Sequence, residues 1–217
     1  MDARHTVLVV DDHPLFRKGV VQLLAMEPTI EVVGEAGNRE QALALADRHD
    51  PDLILLDLNL KAESGLDVLA ALKAEDPSRR VVMLTVSDAA DDLMGAIRAG
   101  ADGYLLKDME PEQLLDRVRA SLAGETVIGE ALAARLASAL RQEAQDSARG
   151  VRRDLSSLTE REQQVLRCLA DGQSNKRIAR TLSITEGTVK VHVKNLLKKL
   201  SFRSRVEAAV WMAQLSR

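Results

Sequence analysis

The sequence of 217 residues is poor in aromatic side chains and in cysteine. Aromatic residues make up 2% of the chain, so its cores must be built from leucine, valine, isoleucine and alanine. Cys168 is the only cysteine, which excludes an intrachain disulfide and fits a reducing compartment such as the cytoplasm. Because Cys168 lies in an apolar helical pattern, we expect a buried structural thiol rather than a reactive one.

Long apolar stretches are also missing from the chain. No run approaches the ~18 apolar residues of a membrane-spanning helix. The first residues lack the apolar core and the small-residue cleavage site of a secretory signal. We therefore expect a soluble protein that is not exported and that has no membrane partner.

The formal net charge of −3 conceals a strong asymmetry between the two ends of the chain. Residues 1–151 contain 16 lysines and arginines against 27 acidic residues, a net charge of −11. Residues 152–217 contain 14 against 6, a net charge of +8. The length suits two modest domains, and the charges predict different partners for them, with nucleic acid for the basic one. The alternative is that both halves are ordinary solvated surfaces and that the difference in their net charge has no functional meaning.

The segment Pro51–Leu60 carries the most informative pattern in the acidic half. Four apolar residues, Leu53–Leu56, run without alternation into the carboxylate of Asp57. Such a run is typical of a strand that is buried on both faces in a parallel sheet. Asp57 would then lie at the carboxyl end of the strand, where open α/β sheets have their functional sites.

Five predicted strands alternate with five predicted helices over residues 1–126. The strands lie at Val7–Val10, Glu31–Ala36, Pro51–Leu60, Val81–Thr85 and Tyr104–Lys107. Short connections between alternating elements predict a doubly wound parallel sheet of five strands with helices on both faces. Residues 127–153 are predicted to be a polar linker that begins with a helix at 129–141. Residues 154–217 have only helical periodicity, which predicts an all-α domain of four helices containing a helix-turn-helix.

Five polar residues follow the predicted strands at their carboxyl ends. They are Asp11, Asp12, Asp57, Thr85 and Lys107. Three neighbouring carboxylates repel one another unless a hard cation such as Mg²⁺ lies between them. With a lysine and a hydroxyl, they predict a pocket suited to a phosphoryl group in transfer. The alternative, five unrelated loop-end residues, does not explain why all five lie at the same edge.

His13 directly follows the acidic pair and invites a catalytic interpretation. No nucleophile stands beside it in the sequence to which it could act as general base. We therefore expect a polar residue at the entry of a helix.

The acidic pair, Asp57, Thr85 and Lys107 match the receiver domain of two-component response regulators. The stretches Gly100–Pro111, Thr188–Lys194 and Ser204–Trp211 resemble the NarL/FixJ (LuxR-type) family, and the resemblance covers nearly the whole chain. It implies a flavodoxin-like receiver, a LuxR-type helix-turn-helix domain and a regulator of transcription. The stretches are most similar to those of regulators that answer nitrate or nitrite. The alternative within the family is a sister regulator that answers a different signal.

The resemblance also implies a role for each residue of the pocket. Asp57 would accept a phosphoryl group from a sensor histidine kinase. Mg²⁺ would be held by Asp12 directly, by Asp11 through water, by Asp57 and by the backbone carbonyl of Asn59. Lys107 would pair with phosphoryl oxygens, while Thr85 and Tyr104 would rearrange as a switch. One departure stands in this region: family members carry a proline soon after the position of Asn59, where this chain has Leu60–Glu63. We expect this different loop to alter the lifetime of the phosphoryl group or the recognition by the kinase.

The basic half contains a helix with two distinct faces. One face is apolar and would be buried: Val189, Val193, Leu196, Leu197 and Leu200. The other face is cationic around one apolar residue: Lys190, Val191, Lys194 and Lys198. Lysine can donate to guanine and valine can contact a thymine methyl in a major groove, so Lys190, Val191 and Lys194 are the candidate base contacts. The family pattern implies the same three residues.

Further cations are better candidates for contacts to DNA phosphates. These are Lys176, Arg177, Lys198 and Lys199. The alternatives for the basic helix are a solvated face and a membrane-surface helix, but the latter lacks a belt of aromatic residues. We expect the acidic receiver to pack against the basic domain and hide the recognition helix while Asp57 is unmodified.

Helix-turn-helix proteins commonly bind paired half-sites as dimers, so we expect a homodimer on promoter DNA. The last helix, with Val206, Val210 and Trp211, is the candidate dimer surface, although core packing explains Trp211 equally well. RNA polymerase is a further candidate partner.

Two other classes of protein fit part of the sequence. A Mg²⁺-dependent phosphatase would use Asp57 as its nucleophile, but Asn59 stands where a second carboxylate would be needed. A ligand-sensing regulator of the quorum type would share only the DNA-binding half, and the acidic residues with Lys107 argue against it. We therefore expect a regulator without enzymatic turnover.

Overall fold

The structure, a computed structural model, describes residues 4–61, 63–128, 155–173 and 175–215. The helix predicted at 129–141 lies outside the described residues. The amino-terminal part comprises β1 (His5–Val10), α1 (Pro14–Ala25), β2 (Ile30–Ala36), α2 (Arg39–His49), β3 (Leu53–Leu56), β4 (Asn59–Leu60), β5 (Glu63–Ser64), α3 (Gly65–Glu75), β6 (Val81–Thr85), α4 (Ala90–Ala99), β7 (Gly103–Leu106), α5 (Pro111–Leu122) and β8 (Val127–Ile128). The carboxyl-terminal part comprises a 3₁₀ turn (Leu155–Ser157), α6 (Glu160–Ala170), α7 (Asn175–Leu182), α8 (Glu186–Lys199) and α9 (Arg205–Leu215).

A parallel sheet with the strand order β2-β1-β3-β6-β7-β8 forms the centre of the first part. The predicted doubly wound sheet is confirmed, and all five predicted strands are present. The sixth strand, Val127–Ile128, pairs with β7, although these two residues fall in the segment predicted as linker. After β1 the chain forms β2 on one side of β1 and then crosses over to form β3 on its other side. Side chains at the carboxyl ends of β1 and β3 therefore face one crevice.

The strands are buried on both faces because their side chains alternate between two apolar layers. Leu8, Ile54 and Met83 belong to one layer, and Val9 and Leu55 belong to the other. Leu53–Leu56 is at most 1% exposed at any residue, as its unbroken apolar run predicts. The end of this strand is therefore rigidly placed by packing from both sides.

The helices of the second part enclose a separate aliphatic core. Thr159 and Glu162 form a reciprocal capping box at the start of α6. Cys168 is buried in this core, as predicted. Phe202 and Trp211 make an edge-on aromatic contact, with ring centroids 5.4 Å apart. Trp211 thus supports the packing of α9 against the rest of the domain.

The two parts also contact each other through the turn between α8 and α9. Arg203 Nη1 donates a hydrogen bond to the carbonyl oxygen of Arg98 at 2.9 Å. Gly100 follows α4 with φ of +103°, and a Cβ atom there would lie 2.8 Å from the carbonyl oxygen of Arg203. Only glycine permits both this conformation and this close approach. No helix in the described ranges is long and apolar enough to cross a membrane.

Candidate functional site

The predicted acidic residues converge at the crevice between β1 and β3. Val10 and Leu56 are paired in the sheet, and the Asp57 amide donates to the carbonyl oxygen of Val10 at 2.8 Å. Asp11, Asp12, His13 and Asp57 each offer one ligand atom, and these atoms all lie within 4.8 Å of one another. Neighbouring parallel strands thus bring together residues that are 45 or more positions apart, as the sequence predicts.

Lys107 enters the same pocket from the end of β7. Its Nζ lies 2.6 Å from Asp11 Oδ2 and 2.7 Å from Asp57 Oδ2. Its backbone amide donates to the carbonyl oxygen of Thr85 at 2.8 Å, which ties the ends of β6 and β7 together. The ammonium group also lies 4.6 Å from the centroid of the Phe16 ring. The lysine is therefore held where it can meet an anion attached to Asp57.

The carboxylates of the pocket are only partly compensated by Lys107. Burial raises the pKa of Asp57, and the hydrogen bond from Lys107 offsets part of that increase. Asp12 Oδ1 is buried and accepts no hydrogen bond, although His13 Nδ1 lies 2.8 Å from it. Three buried carboxylates with one unsatisfied oxygen are a donor set that suits Mg²⁺.

His13 stands at the entry of α1, as predicted from the sequence. It is the residue that precedes the helix, and its backbone amide donates to Asp11 Oδ1 at 2.7 Å. Its imidazole is largely exposed to solvent.

Thr85 and Tyr104 lie behind the acidic pocket and are both fully buried. Thr85 Oγ1 accepts a hydrogen bond from the Ser87 amide at 3.2 Å. The Tyr104 hydroxyl donates to the Ser87 carbonyl oxygen at 3.0 Å, and burial raises the pKa of Tyr104 to about 12. Ser87 thus links the two predicted switch residues. Nothing in the sequence singles out Ser87, because its contacts with Thr85 and Tyr104 are made by its backbone.

The loop that departs from the family pattern is the β4–β5 hairpin. Asn59 is exposed, and its amide lies 3.3 Å from Asp57 Oδ1. The backbone amide of Lys61 donates to Asp12 Oδ2 at 3.0 Å. A Cβ atom on Gly65, which begins α3, would lie 2.1 Å from the carbonyl oxygen of Asp57. Lys61 and Gly65 therefore help to position the carboxylates of the pocket.

The basic face of α8 is directed toward the receiver part of the chain. Lys190 Nζ donates to Asp52 Oδ1, and Lys194 Nζ donates to Asp76 Oδ2. Burial is the largest influence and raises the pKa of each carboxyl. The hydrogen bonds and charges of the lysines, together with hydrogen bonds from Thr6 to Asp52 and from Ser78 to Asp76, outweigh it, so both pKa values are lowered. Val191 is 56% exposed between the two lysines. Asp52 and Asp76 were not predicted, since short-range sequence patterns carry no signal for contacts between domains.

The remaining predicted cations lie outside these two ion pairs. Lys176, Arg177 and Lys198 are exposed on the surface of the helical part. Lys199 instead pairs with Glu162, with its Nζ 2.7 Å from Oε2. Lys199 therefore supports the fold of its own domain.

Comparison with known families matches both parts of the chain. Residues 7–119 match the response regulator receiver domain, and residues 156–212 match the luxR family of bacterial regulatory proteins. The chain belongs to the LuxR-type family of response regulators.

Among its relatives is the nitrate/nitrite response regulator protein NarL of Escherichia coli K12, which is 52% identical over 209 residues. That match covers 96% of this chain and 95% of NarL. The nitrate/nitrite response regulator protein NarP of the same strain is 51% identical, over 96% of this chain and 94% of NarP. Such relatives are regulators of transcription, so the family does not support the alternative of a phosphatase.

Solved structures agree with this assignment. A LuxR-family response regulator from Aurantimonas is 29% identical with a TM-score of 0.59, over 63% of this chain and 97% of that one. The signal receiver domain of a NarL response regulator from Mycobacterium tuberculosis is 36% identical with a TM-score of 0.54, over 57% of this chain and 99% of that one. The receiver match over the front half also argues against a quorum-type ligand-sensing domain there. The protein is thus a phosphorylation-activated transcriptional regulator.

Proposed function

We propose that Asp57 is the phosphoacceptor and that its phosphorylation releases α8 from the receiver to bind promoter DNA. The observation that carries the proposal is the engagement of Lys190 and Lys194 by Asp52 and Asp76. The two lysines expected to read base edges cannot bind a duplex while they are held in these ion pairs.

The donor of the phosphoryl group in this proposal is the phosphohistidine of a sensor histidine kinase. The P–N bond of the kinase breaks as a bond forms between phosphorus and a carboxylate oxygen of Asp57. Lys107, 2.7 Å from Asp57, is placed to neutralise charge on the transferred group. Asp12 and Asp57, with Asp11 through water and the Asn59 carbonyl, would hold Mg²⁺. The ion would add positive charge where phosphoryl oxygens accumulate negative charge.

Phosphorylation changes the balance of charge in the pocket. The phosphoryl group carries about −1.5 to −2 charge units and three acceptor oxygens. Lys107 and the hydroxyl of Thr85 are the groups of the pocket that can meet these oxygens. A rotation of Thr85 would disturb its hydrogen bond with the Ser87 amide and, through Ser87, the partner of the Tyr104 hydroxyl.

Helix α4 offers a route from this switch to the DNA-binding part. At one end, the Ser87 hydroxyl donates to the Asp92 carboxylate in the first turn of α4. At the other end, the Arg98 carbonyl and Gly100 contact Arg203. A small shift of this helix would therefore alter the contact that holds the two parts together.

Once released, α8 would enter the major groove with Lys190, Val191 and Lys194 toward base edges. Lys176, Arg177 and Lys198 would contact phosphates and fix the register of the protein on the duplex. A homodimer on paired half-sites belongs to the same proposal, with the last helix as its surface. Within that surface, Val206 is 8% exposed and Trp211 is partly buried, which leaves little of either for a partner.

The relatives that are named for nitrate and nitrite suggest the signal. We infer that the upstream kinase answers nitrate or nitrite and that the genes controlled are responsive to them. The alternative is a kinase with a different stimulus. A cytoplasmic location and RNA polymerase as a further partner complete the proposal.

The proposal is tested by activating the full-length protein with beryllium fluoride, which mimics an aspartyl phosphate, in the presence of Mg²⁺. We expect tighter binding to promoter DNA after activation, measured by fluorescence anisotropy at fixed salt. The Asp57→Asn variant should neither respond to beryllium fluoride nor incorporate label from acetyl phosphate. A response that survives Asp57→Asn would refute the assignment of the phosphoacceptor.

A further inference from the structure

A cavity of about 260 Å³ lies between the receiver and the helical domain. Its walls come from the loops before β3 and β6 on one side, and from α8 and the start of α9 on the other. Among the lining residues are Arg80 of the receiver and Arg205 of the helical domain. The charged lining is mixed, with three arginines, two lysines and four aspartates. Arg79 is paired with Glu75, which leaves Arg80 and Arg205 as the two guanidinium groups of interest.

Within the described ranges, both guanidinium groups hydrogen-bond only to neutral acceptors. Arg80 Nη1 donates to the carbonyl oxygen of Ser121. Arg205, which is 9% exposed, donates from Nη1 to Asn175 Oδ1 at 3.2 Å and from Nη2 to the Gln173 carbonyl oxygen at 2.9 Å. Among the described residues, no carboxylate forms an ion pair with either arginine. No other described residue accepts from the remaining N–H groups of these side chains, which are therefore available to a further acceptor.

Four aspartates line the cavity: Asp50 is exposed, and the other three are engaged by lysines. Asp52 and Asp76 accept hydrogen bonds from Lys190 and Lys194. Asp102, which is 4% exposed, lies 2.6 Å from the Nζ of the buried Lys73 and also accepts from the Val81 amide. The charge of Asp102 thus acts on three cations: Lys73, which contacts it directly, and the two arginines Arg80 and Arg205. Asp52 also attracts Arg80.

The electrostatics of Arg205 agree with its lack of a direct carboxylate partner among the described residues. Burial lowers its pKa, and the charge of Arg80 lowers it further, to about 9 despite the attraction of Asp102. Burial also lowers the pKa of Arg80. Placing two cations in a partly desolvated cavity is costly unless a counter-ion accompanies them.

We propose that this cavity binds a small oxyanion of the phosphate class between Arg80 and Arg205. Guanidinium groups present planar pairs of N–H donors that match the oxygens of phosphate and similar anions. The volume accommodates such an anion with several waters, since a water molecule takes about 30 Å³ in the liquid. The anion is either free inorganic phosphate or the phosphate group of a small ester.

An anion in this position bridges the two domains. It favours the arrangement in which α8 is covered, because the open arrangement separates Arg80 from Arg205. By mass action, a ligand that binds only one arrangement shifts the population toward it. This consequence rests on the proposed function, in which the covered arrangement cannot bind DNA. The existence of the anion site does not depend on that function.

The site is tested by calorimetric titration of the full-length unmodified protein, without Mg²⁺ and at constant ionic strength set with chloride. Inorganic phosphate and glycerol 3-phosphate are the two probes, and they distinguish a free anion from an ester. We expect saturable binding of at least one probe, weakened about tenfold or more by Arg80→Gln and by Arg205→Gln. Arg48→Gln is the matched control, because Arg48 is exposed on α2, away from this cavity and from the contacts between the domains. It should change the dissociation constant less than about twofold.

Absence of binding by the wild type, or equal binding by all four proteins, overturns the site. Thermal unfolding followed by circular dichroism establishes that each variant is folded. Arg80→Gln decides the test if Arg205→Gln is unfolded, since the two residues belong to different domains. DNA affinity is then measured with each probe at the same ionic strength. Binding of the probe without weaker DNA binding overturns the regulatory consequence alone.

Discussion

Lys190 of helix α8 donates a hydrogen bond to the carboxylate of Asp52, a residue 138 positions earlier in the chain. Asp52 lies in the loop before β3, and its other carboxylate oxygen accepts from the amide and the hydroxyl of Thr6. The carboxylate is therefore fixed by the receiver before the lysine reaches it. A side chain expected to read bases is thus engaged by a preorganised acceptor of the other domain.

Removing the two acceptors should release α8 without phosphorylation. We expect the double variant Asp52→Asn/Asp76→Asn to bind promoter DNA roughly two- to tenfold more tightly than the unmodified wild type, because half-exposed ion pairs contribute little each. Fluorescence anisotropy at fixed salt measures the affinity. Glu40→Gln/Asp67→Asn is the matched control, since it also removes two negative charges, from exposed carboxylates of α2 and α3 outside the interdomain cavity. An equal gain in the control would assign the effect to net charge alone.

Tyr104 is the only tyrosine of the chain, so its ionisation can be followed directly by the absorbance of tyrosinate. We expect a midpoint near pH 12 in the folded protein, against about 10 for an exposed tyrosine. Because folding raises this pKa, the associated stability is fully present below pH 10 and is lost as the pH rises toward 12. Beryllium fluoride should lower the midpoint if Tyr104 leaves its buried position. A midpoint near 10 in the folded, unmodified protein would contradict this environment.

Gly65→Ala should damage the acidic pocket although it only adds a methyl group. That methyl group would overlap the carbonyl oxygen of Asp57, so the end of β3 has to move. We expect labelling by acetyl phosphate to fall at least tenfold, because small displacements at a reacting centre are costly. Gly19→Ala in α1 is the matched control: a Cβ there meets nothing within 4 Å. It should stabilise the helix by about 0.5–1 kcal/mol and leave labelling unchanged. Equal labelling of both variants would refute the predicted overlap.

The backbone amide of Lys61 should matter more than its side chain. Lys61→Pro removes the amide that donates to Asp12, whereas Lys61→Ala retains it. We expect the proline variant to bind Mg²⁺ about tenfold more weakly, because hydrogen bonds to a ligand orient it for the metal. The alanine variant should bind Mg²⁺ like the wild type. Isothermal calorimetry with the unphosphorylated protein measures both, and a loss confined to Lys61→Ala would show that the side chain acts instead.

Local patterns in the sequence were sufficient to predict the elements and the acidic pocket. The apolar run before Asp57 predicts a buried strand because the alternation of exposed and buried faces is absent. Parallel strands have their carboxyl ends at one edge, so the positions of Asp11, Asp57 and Lys107 at strand ends predict their convergence. Thr159 and Glu162 predict a capping box because the reciprocal hydrogen bonds depend only on residues three positions apart.

The contacts between the domains were decided only by the tertiary structure. The pairing of Lys190 with Asp52, the ion pair of Lys194 with Asp76 and the cavity around Arg205 all join residues that are distant in sequence. Charge asymmetry predicts that an acidic and a basic domain attract each other, but it does not select the partners. Partner choice depends on which side chains packing and backbone hydrogen bonds bring within reach. Such long-range geometry leaves no periodicity in the sequence, because each contributing residue is an ordinary polar residue in its own local context.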